Sequence, residues 1–407
     1  MVDIQKIKQE MRDHVREKMD YGRDYCDEEI EELIDEELLE HPASCRLTVD
    51  QRLRMKKELF DSMRRLDILQ FFVEDPSVSE IMINGCDNIF VERGGRLSKL
   101  ELTFDSKERL RDLIQQIVAG CNRVVNEAQP IVDARLSDGA RVNVVMDPVA
   151  INGPIVTIRR FPQNPITMQQ LLAFGSISKE AAQFLEQLVK AHYSIFVSGS
   201  TGSGKTTFLN ALSAFVQKDE RIITIEDSAE LQLLGIDNLV RLETRNGNVS
   251  GCQEISIRDL IRTSLRMRPD RIIVGEVRGG EAADMLTALN TGHDGSMSTG
   301  HANSARDMLS RLENMVLMGM DLPLMAIRQQ IASGIDVIVH LGRLWDKSRK
   351  VLEIAEVLGF EDGEIKLGTL FSFEESGEED GKVLGRLVRK GELTHEDKLK
   401  AAGLSPI

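Results

Sequence analysis

A glycine-rich stretch near the middle of the chain has the residue types and spacing that bind polyphosphate. It reads SGSTGSGKTT over residues 198–207 and fits the pattern G-x-x-x-x-G-K-[ST] at every fixed position. Glycine lets such a loop turn its backbone N–H groups inward around an anion, and the N-terminus of the following helix adds partial positive charge. The predicted phosphate-contacting residues are Gly199, Ser200, Thr201, Gly202, Ser203, Gly204, Lys205, Thr206 and Thr207.

The residues on either side place this loop between a strand and a helix. The segment 193–197, YSIFV, is β-prone enough for a buried strand, and 208–212, FLNAL, begins a helix. A phosphate-binding loop requires this context, in which Lys205 reaches the β- and γ-phosphates and Thr206 offers its hydroxyl to Mg²⁺. The alternative is a glycine-rich turn that matches by chance, and the context argues against it. We therefore predict that the chain binds ATP or another nucleoside triphosphate, with Mg²⁺.

Three further stretches carry carboxylates or histidines close to the ends of predicted strands. Ligands bind at the carboxyl ends of strands in such sheets, so these side chains are predicted to flank the phosphate loop. Each has a plainer alternative, because a carboxylate ending a strand is often only the N-cap of the next helix. A single histidine is likewise more often an ordinary polar residue. Together, behind a phosphate loop, they are predicted to form a site. These residues are Glu226, Asp227, Glu276, His293 and His301.

One of these stretches departs from the usual pattern of phosphate-loop enzymes. In such enzymes an Asp closes the second acidic strand and helps to hold the magnesium ion. Here Gly275 stands in that place, with Glu276 after it. The role toward Mg²⁺, through a water molecule, is therefore expected to fall to Glu226 or Asp227. Glu276 is then expected to polarise the attacking water.

Composition narrows the classes of protein to which the chain can belong. It has 407 residues, which predicts two or three domains, and a formal net charge of -15. That charge counts against broad binding to nucleic acid, which needs cationic surface. We find no apolar run long enough to cross a bilayer and no apolar core of a signal peptide at the start, so a cytoplasmic protein is expected. The five cysteines show no Cys-x-x-Cys spacing, so neither a disulfide framework nor a zinc site is supported.

The pattern of apolar residues predicts an α/β chain with a preceding α+β domain and a helical segment at its start. Ile30, Leu33, Ile34 and Leu38 recur at helical spacing within an acidic run that ends near His41. This segment is interpreted as a small helical bundle with a solvated acidic face, or alternatively as a docking surface for a basic partner. Strands alternate with helices from about residue 167, which favours a largely parallel sheet. After residue 342 a β-rich peripheral subdomain is expected, with an acidic loop over 374–380.

Four motifs resemble those of a known superfamily. The segments 199–206, 224–230, 266–281 and 291–303 look like the Walker A, Asp box, Walker B and His box of the secretion ATPases. Those motors drive type II and type IV secretion and type IV pili. The segments 133–136, 138–143 and 157–161 are similar to the tight-adherence (Tad, or Flp) pilus ATPases, often called the CpaF family. The resemblance covers roughly residues 80–359, and it extends neither to the first 60 residues nor to the acidic stretch after Phe373.

The resemblance implies a homo-hexameric ring of two-lobed subunits with ATP held between the lobes. With the pattern of residues along the chain, the predicted divisions are a helical N-terminal segment (1–62), an α+β N-terminal lobe (63–160), a linker (161–166), a RecA-like P-loop NTPase domain (167–341) and a β-rich subdomain and tail (342–407). Lys205 and Thr206 are implied to hold phosphate and Mg²⁺, Glu226 lies in the Asp box, and Glu276 is the Walker B glutamate. His301, with His293 as a second candidate, is implied to sense the γ-phosphate.

Arginines of the N-terminal lobe are implied to close over the nucleotide and to stabilise the transferring phosphoryl group, as arginine fingers do. For any one of them the alternative is a surface salt bridge. The chain has no four-cysteine zinc module after the His box, which moves it away from the type II secretion branch. The arginines in the matching motifs are Arg135, Arg141, Arg159 and Arg160.

The prediction is an ATP-hydrolysing motor that assembles a tight-adherence pilus by acting on an inner-membrane platform protein. It would be cytoplasmic and peripheral at the inner face of the membrane, with no nucleic-acid partner expected. The alternatives are the ATPase of a conjugative or effector-delivering type IV secretion system, a nucleotide-gated scaffold with little turnover, and a nucleic-acid translocase. Extension or retraction, the cargo and the order of hydrolysis around the ring are not predicted.

Overall fold

The computed structural model describes residues 4–405, apart from 21, 24, 122, 137, 161–164 and 246–252. Its contacts divide the chain into two units, Met1–Gln163 and Asn164–Ile407. The predicted linker begins within 161–164, which lie outside the described residues. No helix in the described ranges combines the length and the apolar character that a membrane span requires.

The first unit begins with helices that share one small apolar core. Met11 and Val15 of the first helix are buried against Ile30 and Ile34 of the second, as the apolar stripe of the acidic segment predicts. The second helix ends before His41, and a capping box of Thr48 and Gln51 opens the third. These helices are α1 (Ile4–Lys18), α2 (Asp27–Glu40), α3 (Val49–Arg64) and α4 (Gln70–Glu74).

The rest of the first unit is an antiparallel sheet with one helix, so the predicted α+β architecture is confirmed. The strand order is β3-β2-β1-β6-β5-β4. The residues after the glycine turn at 94–95 predict a strand from Leu97 to Phe104, but the strand ends at Lys99, and Phe104 is buried in the apolar core of this unit. The elements are β1 (Val78–Asn84), β2 (Ile89–Arg93), β3 (Arg96–Lys99), α5 (Lys107–Gly120), β4 (Ile131–Arg135), β5 (Arg141–Val145) and β6 (Ile155–Arg159).

The second unit is a nine-stranded sheet in the order β15-β14-β13-β12-β7-β11-β10-β8-β9. The six strands from β12 to β9 in that order are parallel, as the alternation of strands and helices predicts. The strands are β7 (Ile195–Gly199), β8 (Ile222–Glu226), β9 (Leu239–Glu243), β10 (Arg271–Val274), β11 (Met297–His301), β12 (Val337–Arg343), β13 (Arg349–Glu361), β14 (Glu364–Glu379) and β15 (Lys382–Arg389).

Helices cover this sheet in two groups, each with its own apolar cluster. One cluster includes residues of the first three helices, and the other includes residues of the next four. This layering buries the central strands completely, so that every residue of β7 and β8 is buried. The helices are α6 (Met168–Ala173), α7 (Lys179–Lys190), α8 (Lys205–Ser213), α9 (Ile257–Ser264), α10 (Glu281–Leu289), α11 (Ala305–Gly319), α12 (Leu324–Gly334) and α13 (Asp397–Ala401).

The end of the chain differs from the expected peripheral subdomain. Strands β13 to β15 continue the same sheet, and Val351, Phe371 and Leu387 are buried in the cluster that also holds α8. The acidic stretch predicted as a loop is the last part of β14, which pairs with β15 as far as Glu379. The charges misled the prediction, because both faces of this outer hairpin are exposed there and strand pairing tolerates acids in water.

Candidate nucleotide site

The glycine-rich stretch forms a tight loop between β7 and α8, as predicted. Gly202 and Gly204 have φ values of 72° and 93°, a region that favours glycine, and Gly204 is the N-cap of α8. A Cβ on Gly199 would lie 2.5 Å from the carbonyl oxygen of Leu341 and 2.6 Å from Ser203 Oγ. The loop therefore needs glycine at these positions for its shape, and its N–H groups lie at the N-terminus of a buried helix.

Strand register brings the chemically active residues to one edge of the sheet. Gly199 on β7 pairs directly with His301 on β11, and Val274 on β10 pairs with Ser298. All these strands are parallel, so their carboxyl ends share an edge. Glu226 ends β8, and Glu276 follows the end of β10. The predicted grouping of Glu226, Glu276 and His301 around the phosphate loop is thus what the topology produces.

Side chains connect the loop to the end of β10 through one imidazole. Lys205 Nζ donates to the carbonyl oxygens of Gly199 and Ser200, each at 3.2 Å, and lies 3.2 Å from His301 Nδ1. The other ring nitrogen, Nε2, lies 2.6 Å from Glu276 Oε1. Arg278 Nη2 donates to the second oxygen of Glu276 at 2.6 Å. A phosphate-binding lysine and a carboxylate are therefore joined by a single histidine.

The direction of these contacts assigns the histidine proton. An ammonium group can only donate, so Nδ1 of His301 accepts from Lys205 and the ring proton lies on Nε2. The 2.6 Å contact between Nε2 and Glu276 Oε1 does not have the angle of a hydrogen bond. Burial lowers the pKa of His301, which favours this neutral form. Burial also lowers the pKa of Lys205, while the charge of Glu276 opposes that shift. Lys205 is buried at the base of the site, whereas the side chains of His301 and Arg278 are 33% and 57% exposed.

Glu226 is a buried carboxylate with two different oxygens. Its Oε1 accepts from the N–H groups of Glu230 and Leu231, both at 2.9 Å, which holds the Asp-box loop. Its Oε2 is buried and has no hydrogen-bond partner among the described residues. Burial raises the pKa of Glu226 to about 7, although the two backbone bonds oppose that shift. Glu226 therefore has a structural role through Oε1, and its Oε2 remains able to accept a hydrogen bond from a ligand or a water molecule.

The side chain of Glu226 explains why position 275 holds glycine instead of the usual aspartate. A Cβ on Gly275 would lie 2.8 Å from Cγ of Glu226. Any larger residue at 275 would displace Glu226 from its place. Asp227, the other candidate for the magnesium role, is more exposed, and its carboxylate lies 3.9 Å from Arg278.

The two histidines of the His box lie at opposite edges of the sheet. His301 ends β11, whereas His293 precedes that strand, and its Nδ1 lies 3.2 Å from the carbonyl oxygen of Ala288. The strand between them spans roughly 16 Å at the usual rise per residue. His293 therefore lies a whole strand away from the phosphate loop of its own chain, and its contact with the nucleotide stays a prediction.

In the first unit, three of the four predicted arginines form a row across the sheet. Arg135 pairs directly with Arg141, and Arg141 pairs directly with Arg159. Directly paired residues share a face of the sheet, so like charges lie side by side, with Glu80 next to Arg159 at the end of the row. A row of like charges of this kind favours an anion.

Arg160 differs from the other three arginines. Its side chain donates to the backbone carbonyl oxygens of Asp75 and Val78, the second at 3.2 Å. These bonds tie the end of β6 to the segment that precedes β1. The structure therefore gives Arg160 a structural contact, and its predicted catalytic role has less support than that of Arg159.

Two further arginines lie against the phosphate loop, and the sequence reasoning missed both. Arg349 Nε donates to the carbonyl oxygen of Gly202 at 2.8 Å, and a Cβ on Gly202 would lie 3.8 Å from Arg343 Nη1. Arg343 and Arg349 pair directly across the β12–β13 hairpin. Neither has an ion pair with a carboxylate in the described part of the chain. The sequence shows a basic turn, RLWDKSR at 343–349, but only the pairing of β12 with β7 brings that turn to the phosphate loop.

The loop has the groups that a nucleotide with Mg²⁺ would need. Thr206 and Thr207 are half-buried in the first turn of α8, and the buried Ser203 Oγ has no hydrogen-bond partner among the described residues. Hydroxyl and carboxylate oxygens are the ligands that Mg²⁺ prefers. The residues present therefore fit the ion, for which Thr206 would be the direct ligand and Glu226 or Asp227 would act through water.

Known proteins resemble this chain over most of its length. The family model described as type II/IV secretion system protein matches residues 64–383. A Mycobacterium tuberculosis protein, named as a candidate conjugal transfer protein, is 34% identical over 79% of this chain and 92% of its own length. Conjugal transfer protein TrbB of Rhizobium radiobacter is 31% identical over 75% and 91%. The crystal structure of the pilus retraction motor PilT with bound ADP has a similar fold, with a TM-score of 0.51, 19% identity, and coverage of 84% and 88%.

Proposed function

The chain belongs to the type II/IV secretion system protein family, and from that membership we propose that it is an ATP-hydrolysing motor of a type IV machine. The observation that carries the proposal is the side-chain connection from Lys205 through His301 to Glu276. A pure binding loop needs the lysine but not the other two groups. Their arrangement joins the group that holds the terminal phosphate to a carboxylate that can position water.

The proposed mechanism assigns a distinct role to each of these residues. The N–H groups of the loop and Lys205 bind the β- and γ-phosphates, and Glu276 polarises the attacking water and accepts its proton. Mg²⁺, held by Thr206, would neutralise phosphate charge. When Lys205 turns toward phosphate, its contacts with the loop carbonyls and with His301 loosen. His301 can then report the presence of the γ-phosphate to Glu276, which its Nε2–H contacts.

The arginine row of the first unit is proposed to complete the site. Arg135, Arg141 and Arg159 would close over the nucleotide and stabilise the phosphoryl group in the transition state. When phosphate leaves, those contacts are lost and the lobe can open. In a homo-hexameric ring this opening would convert hydrolysis into steps, which would act on an inner-membrane platform protein from the cytoplasmic side.

Two machines are candidates for this motor. The first is assembly of a tight-adherence pilus, supported by the motifs at 133–143 and 157–161. The second is a conjugative or effector-delivering secretion system, supported by relatives that are named for conjugal transfer. Deleting the gene in its own host and scoring surface pili and plasmid transfer separates them. Loss of pili alone favours the first machine, and loss of transfer with intact pili favours the second.

A scaffold with little turnover and a nucleic-acid translocase are the weaker candidates. A scaffold has no need of Glu276 beside His301. The net charge of -15 disfavours a translocase, and a DNA-binding titration at several salt concentrations would test that candidate.

The decisive experiment is steady-state ATP hydrolysis by the purified chain with Mg²⁺. We expect Glu276→Gln to lower kcat by about 100-fold or more, because general-base catalysis is lost, while the affinity for a fluorescent ATP analogue stays within a few-fold. Lys205→Ala should lose both turnover and binding. Glu364→Gln, at an exposed glutamate that begins β14, is the matched control. Wild-type turnover in Glu276→Gln would contradict the proposed mechanism.

A further inference from the structure

The first two helices of the chain each present a glutamate and a histidine to the other. On α1, Glu10 and His14 are four residues apart, and on α2, Glu37 is followed four residues later by His41, the C-cap residue. Residues at this spacing lie one turn apart on the same face of a helix. The contacts between the two pairs are reciprocal: His14 meets Glu37 and His41 meets Glu10. No part of the nucleotide site uses these four residues.

Three of the four side chains, those of His14, Glu37 and His41, are close enough to share one small ligand, and Glu10 lies beside His41. His14 Nδ1 lies 3.0 Å from Glu37 Oε1, and His41 Nε2 lies 3.8 Å from Glu10 Oε2. The two imidazole rings are 5.8 Å apart between centroids. One donor atom each of His14, Glu37 and His41 lies within 4.8 Å of the others. Three atoms at that spacing need to move inward by less than about 1 Å to reach the distances of zinc ligands.

The surroundings hold these groups as a metal site requires. The side chains of Glu37 and His41 are only 5% and 7% exposed, whereas His14 is 53% exposed and leaves a path from solvent. Lys18 Nζ lies 3.2 Å from Glu37 Oε2 and 3.0 Å from Glu40. That contact fixes one oxygen of Glu37 and turns the other toward His14. Such outer contacts orient the ligands in protein metal sites.

We propose that His14, Glu37 and His41 bind one first-row transition-metal dication of the Zn²⁺ type, and that the 47% exposed side chain of Glu10 turns inward from beside His41 to become the fourth ligand. Two neutral imidazoles and two carboxylates balance the charge of the ion, and this donor set suits Zn²⁺ or Co²⁺ rather than Mg²⁺. The ion would fasten α1 to α2, since each helix supplies one histidine and one glutamate. Its effect is therefore on the stability of the helical N-terminal segment.

Protons compete with a metal ion for the same side chains. His14 Nδ1 lies 3.0 Å from Glu37 Oε1, so a proton and a metal ion compete for the same nitrogen. His41 Nδ1 accepts from the N–H of Ala43 at 3.3 Å, so a cation on Nε2 requires that this long bond be given up. Metal affinity should consequently fall as the pH is lowered through the range in which histidine titrates.

The test uses the full-length chain, stripped with a chelator that is then removed. Co²⁺ is titrated in and the visible absorption is followed, and Zn²⁺ is measured by calorimetry and by thermal unfolding. We expect one Co²⁺ per chain with a four-coordinate spectrum, displacement by Zn²⁺, and a rise in Tm with Zn²⁺ but not with Mg²⁺. A Co²⁺ titration without a saturable spectral change would overturn the proposal.

His14→Gln separates a built site from incidental binding by histidine. His14 is exposed, so the variant should fold, and we expect it to weaken Zn²⁺ binding by at least about 10-fold and to remove the rise in Tm. The matched control is His395→Gln, because His395 Nδ1 lies 3.1 Å from a carboxylate oxygen of the buried Glu356 but belongs to no such cluster in the described ranges. Equal affinity in wild type and His14→Gln would refute the proposal. None of these measurements depends on nucleotide, so the outcome is independent of the proposed ATPase activity.

Discussion

Burial disfavours the ionised form of Glu226, and the stability of the second unit therefore depends on pH. Its pKa is raised from 4.5 to about 7, chiefly because burial removes water from the carboxylate. Between these two values the unfolded chain loses the proton while the folded chain keeps it. The contribution of protonated Glu226 to the free energy of unfolding is therefore fully present below about pH 4.5 and is lost as the pH rises through about 7.

This dependence can be measured against Glu226→Gln, which keeps an oxygen for the N–H groups of Glu230 and Leu231 but does not ionise. Relative to the variant, the wild type should lose about 3 kcal/mol of its free energy of unfolding between pH 4.5 and pH 8. Urea unfolding at a series of pH values provides the measurement. A constant difference across that range would mean that Glu226 ionises normally.

At the scale of single residues, the sequence predicted those groups whose role follows from a local pattern. Lys205 and Glu276 stand at fixed places in motifs, and the structure brings both to one edge of the sheet. Arg343 and Arg349 could not be found this way, because their proximity to the loop depends on β12 pairing with β7, far away in the chain. His301 contacts Glu276 and His293 does not, because His301 is at the carboxyl end of β11 and His293 precedes the strand.

Among the elements, the β12–β13 hairpin places two arginines against the phosphate loop. Like charges directly opposite each other on a hairpin destabilise it unless an anion lies nearby. We therefore expect Arg343→Gln and Arg349→Gln each to weaken ATP binding by about 10-fold, while the Tm of the nucleotide-free protein stays equal or rises. Fluorescent nucleotide titration and thermal unfolding test the two effects separately.

The matched control for this hairpin is Arg386→Gln, an exposed arginine on β15. It should leave nucleotide affinity unchanged. A fall in Tm without a change in affinity at Arg343 and Arg349 would instead assign both residues to the fold alone.

Two helix ends meet so closely that only glycine fits between them. A Cβ on Gly319, the last residue of α11, would overlap the carbonyl oxygen of Gly280, which is the N-cap of α10. Arg258 reinforces the contact by donating to the carbonyl oxygen of Gly319 at 3.1 Å. Gly319→Ala should therefore lower the free energy of unfolding by about 1–3 kcal/mol.

Gly120, the last residue of α5, is the control for that substitution, because a Cβ there would meet no atom within 4 Å. Gly120→Ala should be neutral, or stabilising by up to about 1 kcal/mol, since alanine favours helix. Equal effects of the two substitutions in denaturant unfolding would show that the helix ends can separate freely.

Element types were easier to predict than their limits. Ile272–Val274 is an apolar run that follows Arg271, and the strand in the structure is Arg271–Val274. The strand that begins at Arg96 is shorter than predicted, because β-propensity does not reveal that Phe104 leaves the sheet for the core. The acidic end of β14 was missed because pairing with β15, rather than composition, makes it a strand.

For the whole molecule, the proposed motor requires two units to act on one nucleotide. The phosphate loop lies in the second unit and the arginine row in the first. We expect Arg159→Gln to lower kcat by about 10-fold or more with a smaller effect on ATP affinity, because a finger acts in the transition state. Arg160→Gln should mainly lower Tm, since that side chain binds backbone carbonyl oxygens. Equal losses of turnover and binding in Arg159→Gln would contradict the finger role.

Mixing two inactive variants then tests whether the arginine row and the phosphate loop of one site come from the same chain or from two chains. Lys205→Ala chains have an intact arginine row, and Arg159→Gln chains have an intact phosphate loop. If the row of one chain serves the loop of another, mixed assemblies contain complete sites, and ATP hydrolysis should exceed the sum of the separate variants. If each chain serves itself, every site lacks one part and no excess appears. Because hydrolysis by a ring should rise steeply with protein concentration, the mixture is measured at several concentrations, and an excess that grows with concentration would place the shared site at an interface between subunits.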